Sequence, residues 1–313
     1  SATRRRRGGD PREPVPMKAY VDCYPCFLRQ ALEAARMATD DEGIHRRVLQ
    51  HVAALIAEFP PEATPVEMGE GIHRAVREMS ASPDPYREVK RESNDLALSL
   101  YPELREMVKG SPDPLLTAIK IAAAGNVADF GANPGFDLER SVREALAHDL
   151  VGSDFPLFRS RLREARRILY VGDNAGEIVF DKILVEEMVG RGAEVTFVVR
   201  GGPVLNDATS EDARYVGMDE FAQVISSGTL SPGTALRNAD PAFLDRFNGA
   251  DLVLAKGQGN YEGLSDEPGP LFFLLTVKCA VVARDLGVRI GERVLRAQRD
   301  GGRVGGGRRS GSE

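Results

Sequence analysis

What the chain does without narrows its class before any motif is read. No stretch reaches the roughly 18 uninterrupted apolar residues of a membrane span, and the N-terminal stretch carries no apolar core of a secretion signal. Cysteine is scarce: Cys23, Cys26 and Cys279 form an odd set without disulfide-framework spacing, which fits a reducing compartment. Histidine offers no ligand set either, since His45, His51 and His73 stand at no mutual metal spacing and read as surface or packing residues. Excess positive charge is missing too, and a net charge of −6 leaves no footprint for nucleic acid. The expectation is a cytoplasmic protein with no membrane or nucleic-acid partner, its oligomeric state open.

What is present suffices for a sizeable core, because 42% of the 313 residues are hydrophobic. Arg4 to Arg7 lie in a Gly- and Pro-rich stretch ending near Pro16, and Gly301 to Glu313 is similar, so residues 1–16 and 300–313 are expected to be disordered tails. Met17 is a candidate natural start. From Val21 to about Ser111 the apolar spacing is helical throughout, with helices over Cys23 to Ala38, from Asp40 or Asp41 to Phe59, Pro65 to Met79, and Pro85 to Val108 with a candidate break at Pro102. Cys23-Tyr-Pro-Cys26 opens the first of these rather than following a strand, which argues against thioredoxin chemistry and leaves them as small helix-start cysteines. A zinc site there would have to recruit Cys279 or a partner subunit to complete its ligands. The expected organisation is an all-helical subdomain over residues 17–150, packed on or capping an α/β core over residues 151–299.

That core is organised around Ile168 to Asp212. Arg167-Ile-Leu-Tyr-Val171 is a short β-branched run that stops at Gly172, as a buried parallel strand does. Ile178, Val179, Ile183, Leu184 and Met188 follow at helical spacing, and Glu194 to Val199 is a second strand: one βαβ unit. Its two turns, Gly172-Asp-Asn-Ala-Gly-Glu177 and Gly201-Gly-Pro-Val-Leu-Asn-Asp207, both fall at the carboxyl edge of the sheet, where open α/β folds bind ligands. Asp173, Asn174 and Asp207 then offer two carboxylates and a carboxamide oxygen, a hard donor set that suits Mg²⁺ or Mn²⁺. A purely local reading competes with this one. Asn174 serves equally as an N-cap with Glu177 as its capping-box partner, and Asp207 as the cap of a helix starting near Ala208.

Other stretches carry polar groups whose role the spacing leaves open. Arg91-Glu92-Ser93-Asn94 sets four polar residues in a row within a helix, so either some face the protein or the turn is solvated. Ala122-Ala-Ala-Gly-Asn126-Val-Ala-Asp129-Phe-Gly131 ends a small-residue helix and presents Asn126 and Asp129, as site or as C-cap. Ser226 to Thr234 is a Gly/Ser/Thr loop that lines either a polar site or solvent. A third apolar strand, Ala250 to Ala255, leads at once into Lys256-Gly-Gln-Gly-Asn-Tyr-Glu262, where Lys256 is a phosphate contact or a plain loop lysine.

These stretches, in register as the CxxC opening, RESN, AGNVADFG, GDNAGEIVFDK, GGPVLNDAT, SPGT and AKGQGNYEGL, resemble the metal-dependent damage-control phosphatases, in their CxxC-bearing archaeal and bacterial branch. The likeness spans about Lys18 to Ala297 and implies an α/β fold, a three-layer α/β/α Rossmann-like core beside the N-terminal all-helical subdomain. It implies hydrolysis of small phosphorylated metabolites, sugar phosphates or damaged phosphopantetheine-like compounds, with Mg²⁺ or Mn²⁺, or alternatively Co²⁺ or Ni²⁺. It also implies that Asp173, Asn174 and Asp207 are the metal ligands, that Lys256 is the phosphate-binding lysine, and that Glu92, Asn94, Asn126 and Asp129 line the cleft. Two positions depart from the branch: Leu230 stands where an acid is common, and Arg200 where a lysine is. Attack by water is expected over attack by Asp173, since a ligand committed to a cation is a poor nucleophile. The competing classes are a non-catalytic nucleotide or sugar-phosphate binding module and a methyltransferase. Against a dinucleotide-type fold, the first turn lacks GxGxxG and the second strand ends at Arg200 rather than at a ribose-binding acid.

Overall fold

The computed structural model describes residues 17–125 and 138–298. Three helices come first, α1 (Cys23–Ala38), α2 (Glu42–Glu58) and α3 (Pro65–Ser80). The start of α3 is fixed by Pro65 in its first turn and by a reciprocal capping box between Thr64 and Glu67. Phe27, Ala31, Ala35, Val48, Val52, Met68 and Ile72 make a core that these three helices share among themselves.

The helices that follow bury their apolar faces elsewhere. These are α4 (Arg87–Lys109), α5 (Pro114–Gly125), α6 (Leu138–Ala147) and α7 (Phe155–Glu164). Pro102 lies inside α4 without ending it. Their buried residues, among them Ala97, Leu104, Ile119, Val142 and Phe158, join one face of the sheet in a single core.

The sheet holds β1 (Arg167–Val171), β2 (Glu194–Val199), β3 (Gln223–Ser226), β4 (Leu252–Lys256), β5 (Leu271–Thr276) and β6 (Arg293–Ala297), in the order β3-β2-β1-β4-β5-β6. All neighbours run parallel except β5 and β6. Helices α8 (Glu177–Gly190), α9 (Ser210–Tyr215), α10 (Pro241–Gly249), α11 (Gly257–Leu264) and α12 (Ala280–Leu286) fill the connections.

Because side chains alternate along a strand, Ile168 and Tyr170 enter the core shared with α4 to α9, while Leu169 and Val171 enter the one shared with α10, α11 and α12. Each such fully buried apolar side chain contributes about 1.5–3 kcal/mol, so both faces must be covered. The result is a three-layer α/β/α core preceded by helices, as the resemblance implies.

Chain order reverses at β1: β2 and β3 extend to one side, β4 to β6 to the other. The crevice at the carboxyl ends of β1 and β4 is thus a topological switch point, the usual ligand position of an open sheet. One element differs from its expected start. The helix expected near Ala208 begins only at Ser210, because the backbone of residues 206–208 bonds to the first turn instead. The apolar run from Leu271 is strand β5, and Cys279 is the N-cap of α12, its Sγ accepting from the Val282 N–H at 3.5 Å.

Candidate active site

The two acid-bearing turns meet through their backbones. The Ala175 N–H donates to the Asn206 carbonyl at 2.9 Å and the Ala208 N–H to the Asp173 carbonyl at 2.8 Å, a short antiparallel bridge pairing Asn174 with Asp207. Gly176, at φ +76°, provides the left-handed step that lets the chain leave this bridge and enter α8. On the far side Gly257 (φ +79°) begins α11 so close to Asp173 that any Cβ there would run into the carboxylate. The glycine therefore lets β4 close over the site.

Neither acid serves as a helix cap. The residue before α8 is Gly176, which has no side chain to offer. Asn174 instead donates from Nδ2 to Asp173 Oδ2 (3.0 Å) and Glu177 Oε2 (3.2 Å). Before α9 the cap is Thr209, boxed with Asp212. Asp173 and Asp207 are left 8% and 4% exposed at the end of the sheet.

Charge density makes this pair unusual. Burial is the main reason the Asp173 pKa rises from an ordinary 3.8 to about 8, with Glu177 and then Asp207 adding repulsion, and Arg200 and Lys278 opposing. Asp207 is raised as well, first by burial, against the opposing charge and hydrogen bond of Arg200. Two carboxylates held together under such strain favour a cation.

Arg200 supplies part of that charge. It is 1% exposed; its Nε donates to Asp207 Oδ2 at 2.6 Å and its Nη2 to Asp173 Oδ1 at 3.4 Å. Its Nη1 reaches Thr234 Oγ1 (2.8 Å) and Asn260 Oδ1 (3.0 Å). The loop from Ser226 to Thr234 thus faces inward, with Ser227, Thr229, Ser231 and Thr234 all buried. The ammonium of Lys278, just past β5, is exposed and acts on both carboxylates. Sequence reasoning passed over Arg200 as a ligand of this site, and over Asn260 and Lys278. The available signal was position: Arg200 directly follows an apolar strand, as Lys256 does.

Lys256 itself stands one step back. It is fully buried, and all three of its ammonium protons are engaged, by Glu177 Oε1 (2.6 Å), Asp181 Oδ1 (2.6 Å) and the Ala122 carbonyl (2.9 Å). Asn94 joins the helical segment to the first turn, its Oδ1 accepting from the Gly176 N–H at 2.6 Å and its Nδ2 donating to Asp212 at 3.2 Å. Glu92, on the same helix, is exposed. Asn126 and Asp129 lie outside the described residues. Cys23, Cys26 and Cys279 are free thiols. Among the described residues no three of His, Cys, Asp and Glu gather as a ligand shell; the oxygens that the backbone bridge brings together are those of Asp173, Asp207 and the Asn174 carboxamide.

The α/β/α fold thus sets paired acids at its switch point and, among the described residues, no cluster of cysteine or histidine ligands. Residues 19–294 match the damage-control phosphatase ARMT1-like domain. A damage-control phosphatase from Archaeoglobus fulgidus is 35% identical over 285 residues, 90% of this chain and 99% of that one. The crystal structure of a DUF89 family protein from Pyrococcus horikoshii is similar at a TM-score of 0.83 and 35% identity, over 90% of this chain and 100% of that chain. A mouse 4'-phosphopantetheine phosphatase is 30% identical over 149 residues, 43% of this chain and 18% of that protein. The chain belongs to the damage-control phosphatase family and is a phosphatase.

Proposed function

We propose that this chain hydrolyses small phosphate monoesters with a divalent cation held by Asp173, Asp207 and the Asn174 carboxamide oxygen, in a metabolite damage-control role. The observation that carries the reading is the buried acid pair, cross-bridged by backbone at the switch point and raised in pKa. The donors fit a hard cation: carboxylate and amide oxygens suit Mg²⁺ or Mn²⁺, with Co²⁺ or Ni²⁺ as substitutes. With its nitrogen engaged by Asp173 and Glu177, Asn174 keeps its oxygen for that purpose, since among the described residues nothing donates to it. A cation bound there supplies Lewis-acid polarisation of the phosphoryl group.

The rest of the chemistry falls to the chain's own groups. Lys278, the exposed cation at the mouth, neutralises a phosphate oxygen; Lys256 acts through Glu177 to hold Asn174 in place. Water is the nucleophile, because an Asp173 committed to a cation, and already bonded at Oδ1 by Arg200 and at Oδ2 by Asn174, is a poor nucleophile. The water oxygen bonds to phosphorus as the ester P–O bond breaks, and its proton leaves with the alcohol. Asn94 fixes the first turn from the helical side, and Glu92 is assigned to the substrate's organic part, as are Asn126 and Asp129, which lie outside the described residues.

That organic part is a sugar or a phosphopantetheine-like chain; the mouse relative's name favours the second. No helix among the described residues is long and apolar enough to cross a membrane, and small cytoplasmic metabolites are the expected substrates. Asp173→Ala should abolish Mn²⁺ binding and lower Mn²⁺-dependent hydrolysis of p-nitrophenyl phosphate by at least about a thousandfold, roughly 4 kcal/mol of barrier. Turnover at the wild-type rate in that variant rules the assignment out.

A further inference from the structure

Arg200 is among the largest fully buried side chains of the described residues, and its fork meets both acids, Thr234 and Asn260. Those two anchors are themselves fully buried. Asn260 donates in turn to the Gly172 carbonyl at 3.0 Å and the Lys256 carbonyl at 2.7 Å, which ties the guanidinium to the ends of β1 and β4. Arg200 is therefore anchored by Thr234 and Asn260 as well as by the acids it faces. A planar, permanently charged fork can serve two carboxylates and two neutral acceptors at once, which a lysine's compact ammonium cannot.

From this geometry we infer that Arg200 is a built-in counter-cation, a positioning residue that keeps Asp173 and Asp207 assembled when no divalent cation is bound. The inference rests on the metal reading above for its purpose, though not for its physics. Two adjacent buried carboxylates without a compensating charge repel each other and destabilise the fold. With Arg200 in place the acids keep their spacing, so a cation meets a preformed site and does not have to order it.

The test uses the full chain, treated with EDTA, and follows thermal unfolding of wild type, Arg200→Gln, Arg200→Lys, Asp207→Asn and the Arg200→Gln/Asp207→Asn double variant. Arg200→Gln should lose on the order of 10 °C, and Arg200→Lys should keep part of that loss. The double variant should be more stable than Arg200→Gln alone, because removing one acid relieves the repulsion that the arginine had offset. Saturating Mn²⁺ should then raise Arg200→Gln by more degrees than it raises the wild type.

The inference is overturned if Arg200→Gln is as stable as the wild type, or if the double variant loses at least the sum of the two single losses, as mere packing would dictate. Should Arg200→Gln fail to fold while the double variant folds, the counter-cation role is supported outright; failure of both overturns it. If Mn²⁺ shifts none of the proteins, the metal reading fails while the metal-free comparison still decides the role of Arg200.

Discussion

Two clusters of identical stoichiometry lie side by side at the carboxyl ends of β1, β2 and β4: Asp173 and Asp207 with Arg200, and Glu177 and Asp181 with Lys256. Each has two acids and one buried cation, yet they differ in how completely the cation serves the acids. Lys256 meets both of its partners at 2.6 Å, and all three residues of that cluster are fully enclosed. Burial works against the lysine charge, but Asp181 and Glu177 more than offset it and hold its pKa above the ordinary value. Arg200 meets Asp207 at 2.6 Å but Asp173 only at 3.4 Å, the rest of its fork being directed at neutral groups. Both clusters thus carry one acid more than their cation covers: the first is incompletely paired next to solvent, while the second, where Asp181 Oδ2 has no hydrogen-bond partner among the described residues, is fully enclosed. Residue types alone do not mark a site; incomplete pairing that solvent can reach does.

The sharpest way to break that comparison is to remove the better-paired cation. Lys256→Met leaves Glu177 and Asp181 buried without a counter-charge, a loss of about 3–5 kcal/mol, read as a lower urea midpoint. If Lys256 instead grips the substrate phosphate, the midpoint stays put and only KM rises. A stable variant with raised KM would restore the phosphate contact to Lys256 and undo the division of roles drawn here.

The next largest effect separates substrate from metal at the open cluster. Lys278→Ala removes an exposed ammonium that touches neither acid by a hydrogen bond but acts on both through charge. A charge-assisted contact to phosphate is worth about 1.5–3 kcal/mol, so KM for p-nitrophenyl phosphate should rise roughly tenfold to a hundredfold. Mn²⁺ affinity should hold or tighten, because a competing positive charge has gone. An unchanged KM excludes Lys278 from the substrate contact.

Local pattern made the open cluster legible and hid the closed one. The strand β1, the helix after it and the strand β2 follow from apolar period, and both acid turns follow from where those periods stop. Asp173, Asn174 and Asp207 were readable because each sits in such a turn. Lys256 was readable as a strand-end lysine, but its neighbours were not: the Ala122 carbonyl comes from α5, far upstream, and no local rule brings it there. Asp181 and Lys182 interrupt the apolar helix α8, which is buried on nearly every side; charges inside such a helix were the clue that a buried partner waited elsewhere. Arg200 and Asn260 converge only when β2 and β4 flank β1, a fact of strand order that spacing does not carry.

The effect that is smallest per pH unit is also the most selective for the open cluster, because it depends on the charge Arg200 leaves uncovered. Asp173 binds its proton more tightly in the fold than in the unfolded chain, up to about pH 8 against 3.8, chiefly through burial and then through Glu177 and Asp207. The folded state thus holds more protons across that window, so metal-free stability falls as pH rises from about 4 to about 8, by at most about 1.4 kcal/mol per pH unit for one group. A cation competes with that proton. Apparent Mn²⁺ affinity should therefore tighten with rising pH, approaching tenfold per unit below pH 8 and levelling above it, with a proton released per ion bound. Calorimetry in buffers of different ionisation enthalpy measures that release directly. A metal affinity flat from pH 6 to 8 would mean that Arg200 already compensates both acids, and the two clusters would then differ only in exposure.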